Sequence, residues 1–355
     1  VPENKAFNIY LHNSLTGEDM TSFVMELLGT LLVILIASEL FTNALEYLGE
    51  RLKISEGVTG SLFAAVGTAL PETLVPLLAL YAGTTNINVN EEISVGAILG
   101  APLMLSTLST CLMAAFILPR RGIMGFVSPE RSGFQRDLNF FLLAFLLAAI
   151  GMYIPQQAHY LRIALGTMLV LTYMIYILLT LRASATLVQE GNATTTDEKM
   201  FFARMGLPIN LFTILLQLSI ALALLVAGAK GFIAGIEGVA DLLGISPLLL
   251  SLLIIPIATE LPEKVNSIIW IRKGKDTLAF GNITGAMVFQ GTLLPAIGII
   301  LTPWQPRLEV LTGVLITLIA AAWLRINSRQ KGLRIWVLLI NGVLYIAYLL
   351  ITLRR

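Results

Sequence analysis

Charge is what this chain has least of. Asp, Glu, Lys and Arg together make up 13% of its 355 residues, about half the share of a soluble domain, which excludes an ordinary cytosolic fold. The formal net charge of +1 shows no acidic or basic bias, so no nucleic-acid partner is expected. A single cysteine, Cys111, and two histidines, His12 and His159, exclude a disulfide framework and a Cys/His metal site; any bound metal would have to be held by oxygen. No Gly-x-x-x-x-Gly-Lys-Ser/Thr loop is present, so an ion gradient rather than a nucleotide is the expected energy source. Residues 1–20 are polar and lack the basic start and apolar centre of a secretory signal, and Val1 in place of an initiator Met leads us to expect a processed or trimmed start.

What the chain has in abundance is apolar sequence, 56% of the total. It comes in ten runs, at about 22–47, 56–81, 93–118, 138–154, 160–181, 207–235, 246–271, 277–301, 308–325 and 335–353. Each is close to the 17–25 residues that cross about 30 Å of hydrocarbon as helix. The expected fold class is therefore all-α and integral to the membrane, with about ten transmembrane helices. The longest polar stretch, residues 182–205, holds Gly191, Asn192 and the run Thr194-Thr195-Thr196, and reads as a cytoplasmic linker. The expected organisation is a polar N-terminal segment (1–20), a first five-helix repeat (21–181), the linker (182–205) and a second five-helix repeat (206–355).

The basic residues test this count, because Lys and Arg favour cytoplasmic loops and successive loops should alternate. The loops after spans 1, 3, 5, 7 and 9 hold sixteen of the 23 Lys and Arg, the opposite side holds six, and Lys264 falls inside span 7. Both termini are thus expected on the non-cytoplasmic side, in a plasma (inner) membrane. With five spans in each half, the second half enters from the side opposite to the first.

The two halves also repeat in sequence. Leu70-Pro71-Glu72 in span 2 recurs as Leu261-Pro262-Glu263 in span 7, an offset of 191 that also pairs Glu46 with Glu237, Ile54-Ser55 with Ile245-Ser246, and Glu39 with Lys230. Beyond an insertion near Asn86–Asn90 the offset becomes 185, matching Gly96, Gly100, Ala101 and Thr107 to Gly281, Gly285, Ala286 and Thr292. Inverted repeats are a signature of secondary transporters, whose substrate site lies near the midplane where the repeats meet.

Glu72 and Glu263 both fall in mid-span. A carboxylate there costs at least a few kcal/mol and is kept only with a partner, a proton or a cation. Each follows a proline, which removes a backbone donor and frees carbonyl oxygens about one turn upstream, near Thr68 and Thr259. Two carboxylates with freed carbonyls and hydroxyls form an all-oxygen cage that suits a hard divalent cation such as Ca²⁺. The bland alternative is a protonated acid hydrogen-bonded between helices.

These motifs resemble the cation/calcium antiporter superfamily, and its sodium/calcium exchanger branch in particular, along the whole chain. That family's two alpha-repeats typically read Gly-Thr-Ser-Leu-Pro-Glu, followed one span later by Gly-Asn-x-x-Gly-Ser-Asn. Here they stand as Gly67-Thr68-Ala69-Leu70-Pro71-Glu72 with Gly96-Ala97-Ile98-Leu99-Gly100-Ala101-Pro102, and as Ala258-Thr259-Glu260-Leu261-Pro262-Glu263 with Gly281-Asn282-Ile283-Thr284-Gly285-Ala286-Met287. The resemblance implies Glu72 and Glu263 as central Ca²⁺ ligands, with oxygens from Thr68 and Thr259. It also implies a core of spans 2, 3, 7 and 8, across which spans 1 and 6 slide or rock. The expected partners are the bilayer and inorganic cations. No cofactor is expected beyond the transported cation and its counter-ion, H⁺ or Na⁺.

The departures from the family pattern bear on that counter-ion. The serines that serve Na⁺ in the sodium-coupled members are Ala101 and Ala286 here, and the polar residue four positions further on is Leu105 in one half and Gln290 in the other. Only Gln290 keeps a side-chain oxygen, which favours H⁺ while leaving Na⁺ open. Glu260 and Lys264 flank Glu263 on one helix face. They read either as an intrahelical salt bridge or as an extra ligand with a resident ammonium in place of a sodium ion; Lys264 reaching the surface by snorkelling is a further alternative. Trp270, Trp304, Trp323 and Trp336 read as interfacial anchors. The competing classes, an intramembrane enzyme and a channel, lack a nucleophile–base set and an evident oligomeric pore respectively.

Overall fold

The computed structural model describes residues 17–64, 73, 76–77, 87–189, 194, 199–243, 252, 256–257, 260–328 and 331–353. Among them are eight helices long and apolar enough to cross a membrane: Leu28–Leu52, Ser94–Arg121, Arg131–Gly151, His159–Ser184, Leu211–Gly228, Asp276–Leu301, Leu308–Asn327 and Ile335–Thr352. These are spans 1, 3, 4, 5, 6, 8, 9 and 10. Spans 2 and 7 lie partly outside the described residues. Span 2 is represented by a short helix, Glu56–Val58, running into a π-helical turn, Thr59–Ala64, and span 7 mainly by the helix Leu261–Arg272. In hydrocarbon each backbone N–H and C=O must be satisfied within its own segment, so helix is the form these runs take.

Contacts at the two ends fix the up-and-down order. At one end, Arg121 pairs with Asp276 at 2.7 Å, the Arg120 guanidinium donates to Arg272 O, and Gln135 donates to Ser328 O. There too the Thr194 amide donates to Ile54 O. A two-residue antiparallel pair, β1 (Phe126–Val127) with β2 (Leu333–Arg334), closes the same end. The loops after spans 1, 3, 5, 7 and 9 therefore meet on one face, as the Lys/Arg alternation requires. At the other end Arg162 donates to Ile299 O and Thr302 O, and the Trp304 indole to Ala148 O. These contacts join the loops after spans 4 and 8.

Span 8 is 78% buried and span 3 67%, against 44% or less for the other six, so the core is built on these two helices. Glycine sets how they pack. A Cβ at Gly100 on span 3 would stand 2.7 Å from Leu252 O of span 7, and a Cβ at Gly285 on span 8 would collide with Ser61 O of span 2. Gly285 is Gly100 shifted by 185, and Leu252 is Ser61 shifted by 191. The same backbone-to-backbone contact thus occurs twice between the halves, each half supplying the glycine once and the facing carbonyl once, as expected for two repeats of one unit.

Spans 1 and 6 are longer than expected. Their helices run Gly17–Leu52 (36 residues) and Leu211–Leu243 (33 residues), about 54 and 50 Å at 1.5 Å per residue, well over the hydrocarbon thickness. They lie antiparallel, with Gly228 against Ile34, Gly231 against Thr30, and Gln217 donating to Leu40 O and Asn43 Oδ1. The limits expected at 22, 47 and 235 stop where hydropathy falls, but helical hydrogen bonding continues past them, while span 6 begins at Leu211 and not at 207.

Two further expectations are corrected. Span 4 is Arg131–Gly151 rather than 138–154: the Glu130 carboxylate caps its N-terminus by accepting from the amides of Ser132 and Gly133 at 2.6 and 2.7 Å. Trp270 and Trp304 are buried, 0% and 1% exposed, with both indoles hydrogen-bonded internally, so neither is an interfacial anchor. Trp323 and Trp336 are half-buried and stack edge to face at 6.0 Å.

Candidate cation site

The described helix of span 7 begins at Leu261. Glu260 sits in a turn with φ −84° and ψ 1°, and Pro262 occupies the first turn of the helix that follows, where its missing N–H leaves no intrahelical bond unmade. Glu260 and Glu263 face the interior here, both 0% exposed. Of the residues expected in the site, Glu260, Glu263 and Gln290 are described, while Glu72, Thr68 and Thr259 lie outside the described residues.

The three described residues come together against span 8. Gln290 Nε2 donates to Glu260 Oε1 at 2.7 Å, while Glu260 Oε2 is buried with no hydrogen-bond partner among the described residues. The Glu260 carboxyl lies in the opposing fields of the Glu263 carboxyl and the Lys264 ammonium. Asn282, just over two turns N-terminal to Gln290 on span 8, donates to Glu263 O at 3.1 Å and to Ser267 Oγ at 3.0 Å. Its Oδ1 is likewise buried without a partner among the described residues. Buried oxygens with lone pairs to spare, beside two carboxyls, are a donor set for a hard cation or for protons.

Lys264 does not snorkel. It is 4% exposed and its Nζ donates to Pro256 O at 3.2 Å, just over two turns back along span 7. Its charge acts on Glu260 from within the core. At the positions where the sodium-coupled pattern carries hydroxyls, Ala101, Ala286 and Leu105 are all 0% exposed, so they are buried there as apolar packing.

Glu39 and Glu46 of span 1 turn toward the loop between spans 7 and 8: Glu39 pairs with Lys273 at 3.4 Å and Glu46 with Lys275 at 2.7 Å. Lys230, the repeat mate of Glu39, lies on the span 6 helix, but its side chain is outside the described residues. The sequence reading missed one buried acid altogether. Asp137 on span 4 accepts hydrogen bonds from Ser61 Oγ, Thr284 Oγ1 and Tyr176 Oη at 2.8, 2.7 and 3.1 Å. Starting span 4 at residue 138 put this acid in a loop. A search for acids within one turn of an apolar run would have found it.

Eight membrane-length helices among the described residues, packed around buried acids, define a polytopic membrane protein of transporter architecture. The family is settled by sequence: the profile of the sodium/calcium exchanger proteins matches residues 22–182 and 213–354, and the chain belongs to that family. Among its relatives is the inner membrane protein YrbG of Escherichia coli K12, 26% identical over 325 residues that cover 89% of this chain and 92% of that one. The fold is similar to solved structures of the sodium-calcium exchanger NCX_Mj. With the form soaked in 100 mM Na⁺ and 10 mM Sr²⁺ the TM-score is 0.71 at 20% identity, covering 95% of this chain and 100% of that one. With the form in zero Na⁺ and Ca²⁺ it is 0.67 at 20% identity, covering 92% and 98%.

Proposed function

We propose that this chain exchanges Ca²⁺ for H⁺ across a plasma (inner) membrane by alternating access to one site, in which Glu72 and Glu263 carry the divalent ion. Thr68, Thr259, Gln290 and Glu260 complete its oxygen shell. The observation that carries this reading is the wholly buried pair Glu260 and Glu263 at the start of the described helix of span 7, with Gln290 reaching across from span 8. Charge of that density in hydrocarbon needs a cation or protons to offset it. The sodium/calcium exchanger family supports Ca²⁺ as the divalent ion. The apolar burial of Ala101, Ala286 and Leu105 supports protons over Na⁺, since carboxylates take up protons without a further coordination shell. The clustering of the basic loops on one face supports both termini being non-cytoplasmic.

The test is Ca²⁺ uptake into proteoliposomes by the wild type and by Glu263→Gln and Glu72→Gln. Gln keeps shape and hydrogen bonding but removes one of the charges that offset Ca²⁺ dehydration. Both variants are expected to stay folded and to lose uptake. Near-normal uptake by either removes that residue from the site.

A further inference from the structure

Asp137 lies outside the glutamate cluster and is 1% exposed. Three of its neighbours, each on a different helix, give it a hydroxyl: Ser61 on span 2, Tyr176 on span 5 and Thr284 on span 8. No backbone N–H bonds to it among the described residues. The nearest guanidinium atom, Arg136 Nε, is 4.0 Å from Oδ1, too far for a hydrogen bond. Fixed N–H donors favour the ionised form of a carboxyl and cannot accept the proton of the acid. Hydroxyls rotate and can donate or accept. Thr284 has a second acceptor within reach, Phe280 O at 2.9 Å, so it can turn away from Asp137 and accept from it instead. The carboxylate and the carboxylic acid are both satisfied in the same place.

A cavity lies beside this acid as well. A narrow crevice lined by Gly57, Pro129, Glu130, Gly133, Thr277 and Gly281 reaches Ser61 and Asp137 from the face where the basic loops gather. Its interior space of about 10 Å³ is close to that of one water molecule, too little for a hydrated metal ion. Asp137 lies two turns, about 10 Å, inside the helix start at Glu130. Span 8 then runs from Thr284 at Asp137 to Gln290 at Glu260.

We propose that Asp137 is a proton-binding site separate from the glutamate pair, filled and emptied from the cytoplasmic face through this crevice and linked by span 8 to the Glu260–Gln290 contact. It deepens the proton-coupled reading above and rests on it for its role in exchange. The ionisable groups around it are few. Its own helix brings Arg136, and Glu130 spent on capping; span 5 brings the Tyr176 phenol. Spans 2 and 8 bring hydroxyls, with Glu56 and the Arg121-paired Asp276 at their far ends.

The experiment is infrared difference spectroscopy of the whole protein in lipid without Ca²⁺, following the carbonyl stretch of protonated carboxyl groups as pH is lowered. A band that appears with falling pH, persists in Glu263→Gln and is lost in Asp137→Asn supports the site. An identical band in Asp137→Asn overturns it, and so does an Asp137 band that responds to Na⁺ and not to pH. Should Asp137→Asn not fold, Tyr176→Phe and Thr284→Val decide. Each removes a hydroxyl that holds the ionised form, and should move the midpoint of the band up by about one pH unit; unmoved midpoints in both overturn the proposal. The measurement involves no ion flux, so sodium-driven exchange in a flux assay would sink the coupling reading while leaving a titrating Asp137 in place.

Discussion

Lys275 Nζ meets Glu46 Oε2 at 2.7 Å with each side chain 7% exposed, and the Trp270 indole donates to the other carboxylate oxygen at 2.9 Å. A buried charge pair thus fastens span 1 to the end of span 7 and the start of span 8, on the face of the basic loops. The helix expected to move relative to the core is tied to it at that end.

Removing one partner of such a pair leaves an uncompensated buried charge. Lys275→Met is expected to lower stability by about 3 kcal/mol, and the double variant Glu46→Gln/Lys275→Met to regain most of it. Denaturant unfolding in detergent, followed by fluorescence, measures the cycle. Additive losses in the double variant would show that the two charges do not depend on one another.

The glycine contacts make a sharper structural claim. Gly100→Ala and Gly285→Ala each push a methyl group into the backbone of the facing span, at Leu252 and Ser61. Both are expected to lose transport and to unfold at lower temperature, because backbone cannot move aside as a side chain can. Gly29 on span 1 has nothing within 4 Å of its would-be Cβ. Gly29→Ala is therefore expected to be neutral or slightly stabilising. Equal effects at Gly29 and Gly285 would show that backbone proximity is not what these positions require.

The eight crossings found among the described residues, and the gathering of the basic loops on one face, were legible because each leaves a linear trace, in run length and in loop charge. The ends of the helices were not. Span 1 runs on to Leu52 and span 4 begins at Arg131, since backbone hydrogen bonding carries a helix on through exposed polar residues such as Arg51 and Arg131. That error hid Asp137, whose partners Ser61, Tyr176 and Thr284 are far apart in sequence and meet only through packing. Trp270 and Trp304 were misread for the same reason, as hydropathy cannot tell an indole at the interface from one buried against a distant acceptor. At the site, the contact of Glu260 with Gln290 joins positions thirty residues apart, although both had been singled out.

Gln290→Leu removes the only hydrogen bond that Glu260 receives from a side chain among the described residues. It is expected to weaken Ca²⁺ binding by about 10- to 100-fold, in the range for losing a group that orients a ligand. Calorimetric titration of purified protein measures it. Unchanged affinity would remove both Gln290 and its effect on Glu260 from the cation shell.

Protons should compete with Ca²⁺ at the paired glutamates, because each bound proton removes a charge the divalent ion needs. Affinity is thus expected to be highest where the carboxyls are ionised and to fall as pH is lowered. Ca²⁺ titrations at several values between about pH 5 and 8 check this. Constant affinity over that range would mean that protons do not enter the site.

The most direct measurement is of coupling. Proteoliposomes loaded with radioactive Ca²⁺ are given a proton gradient or a sodium gradient in turn, with voltage clamped by a potassium ionophore. Ca²⁺/H⁺ exchange at the glutamate pair predicts release driven by the proton gradient, little or none driven by Na⁺ at fixed pH, and none with Glu263→Gln. Release driven by sodium at fixed pH and indifferent to the proton gradient would contradict it.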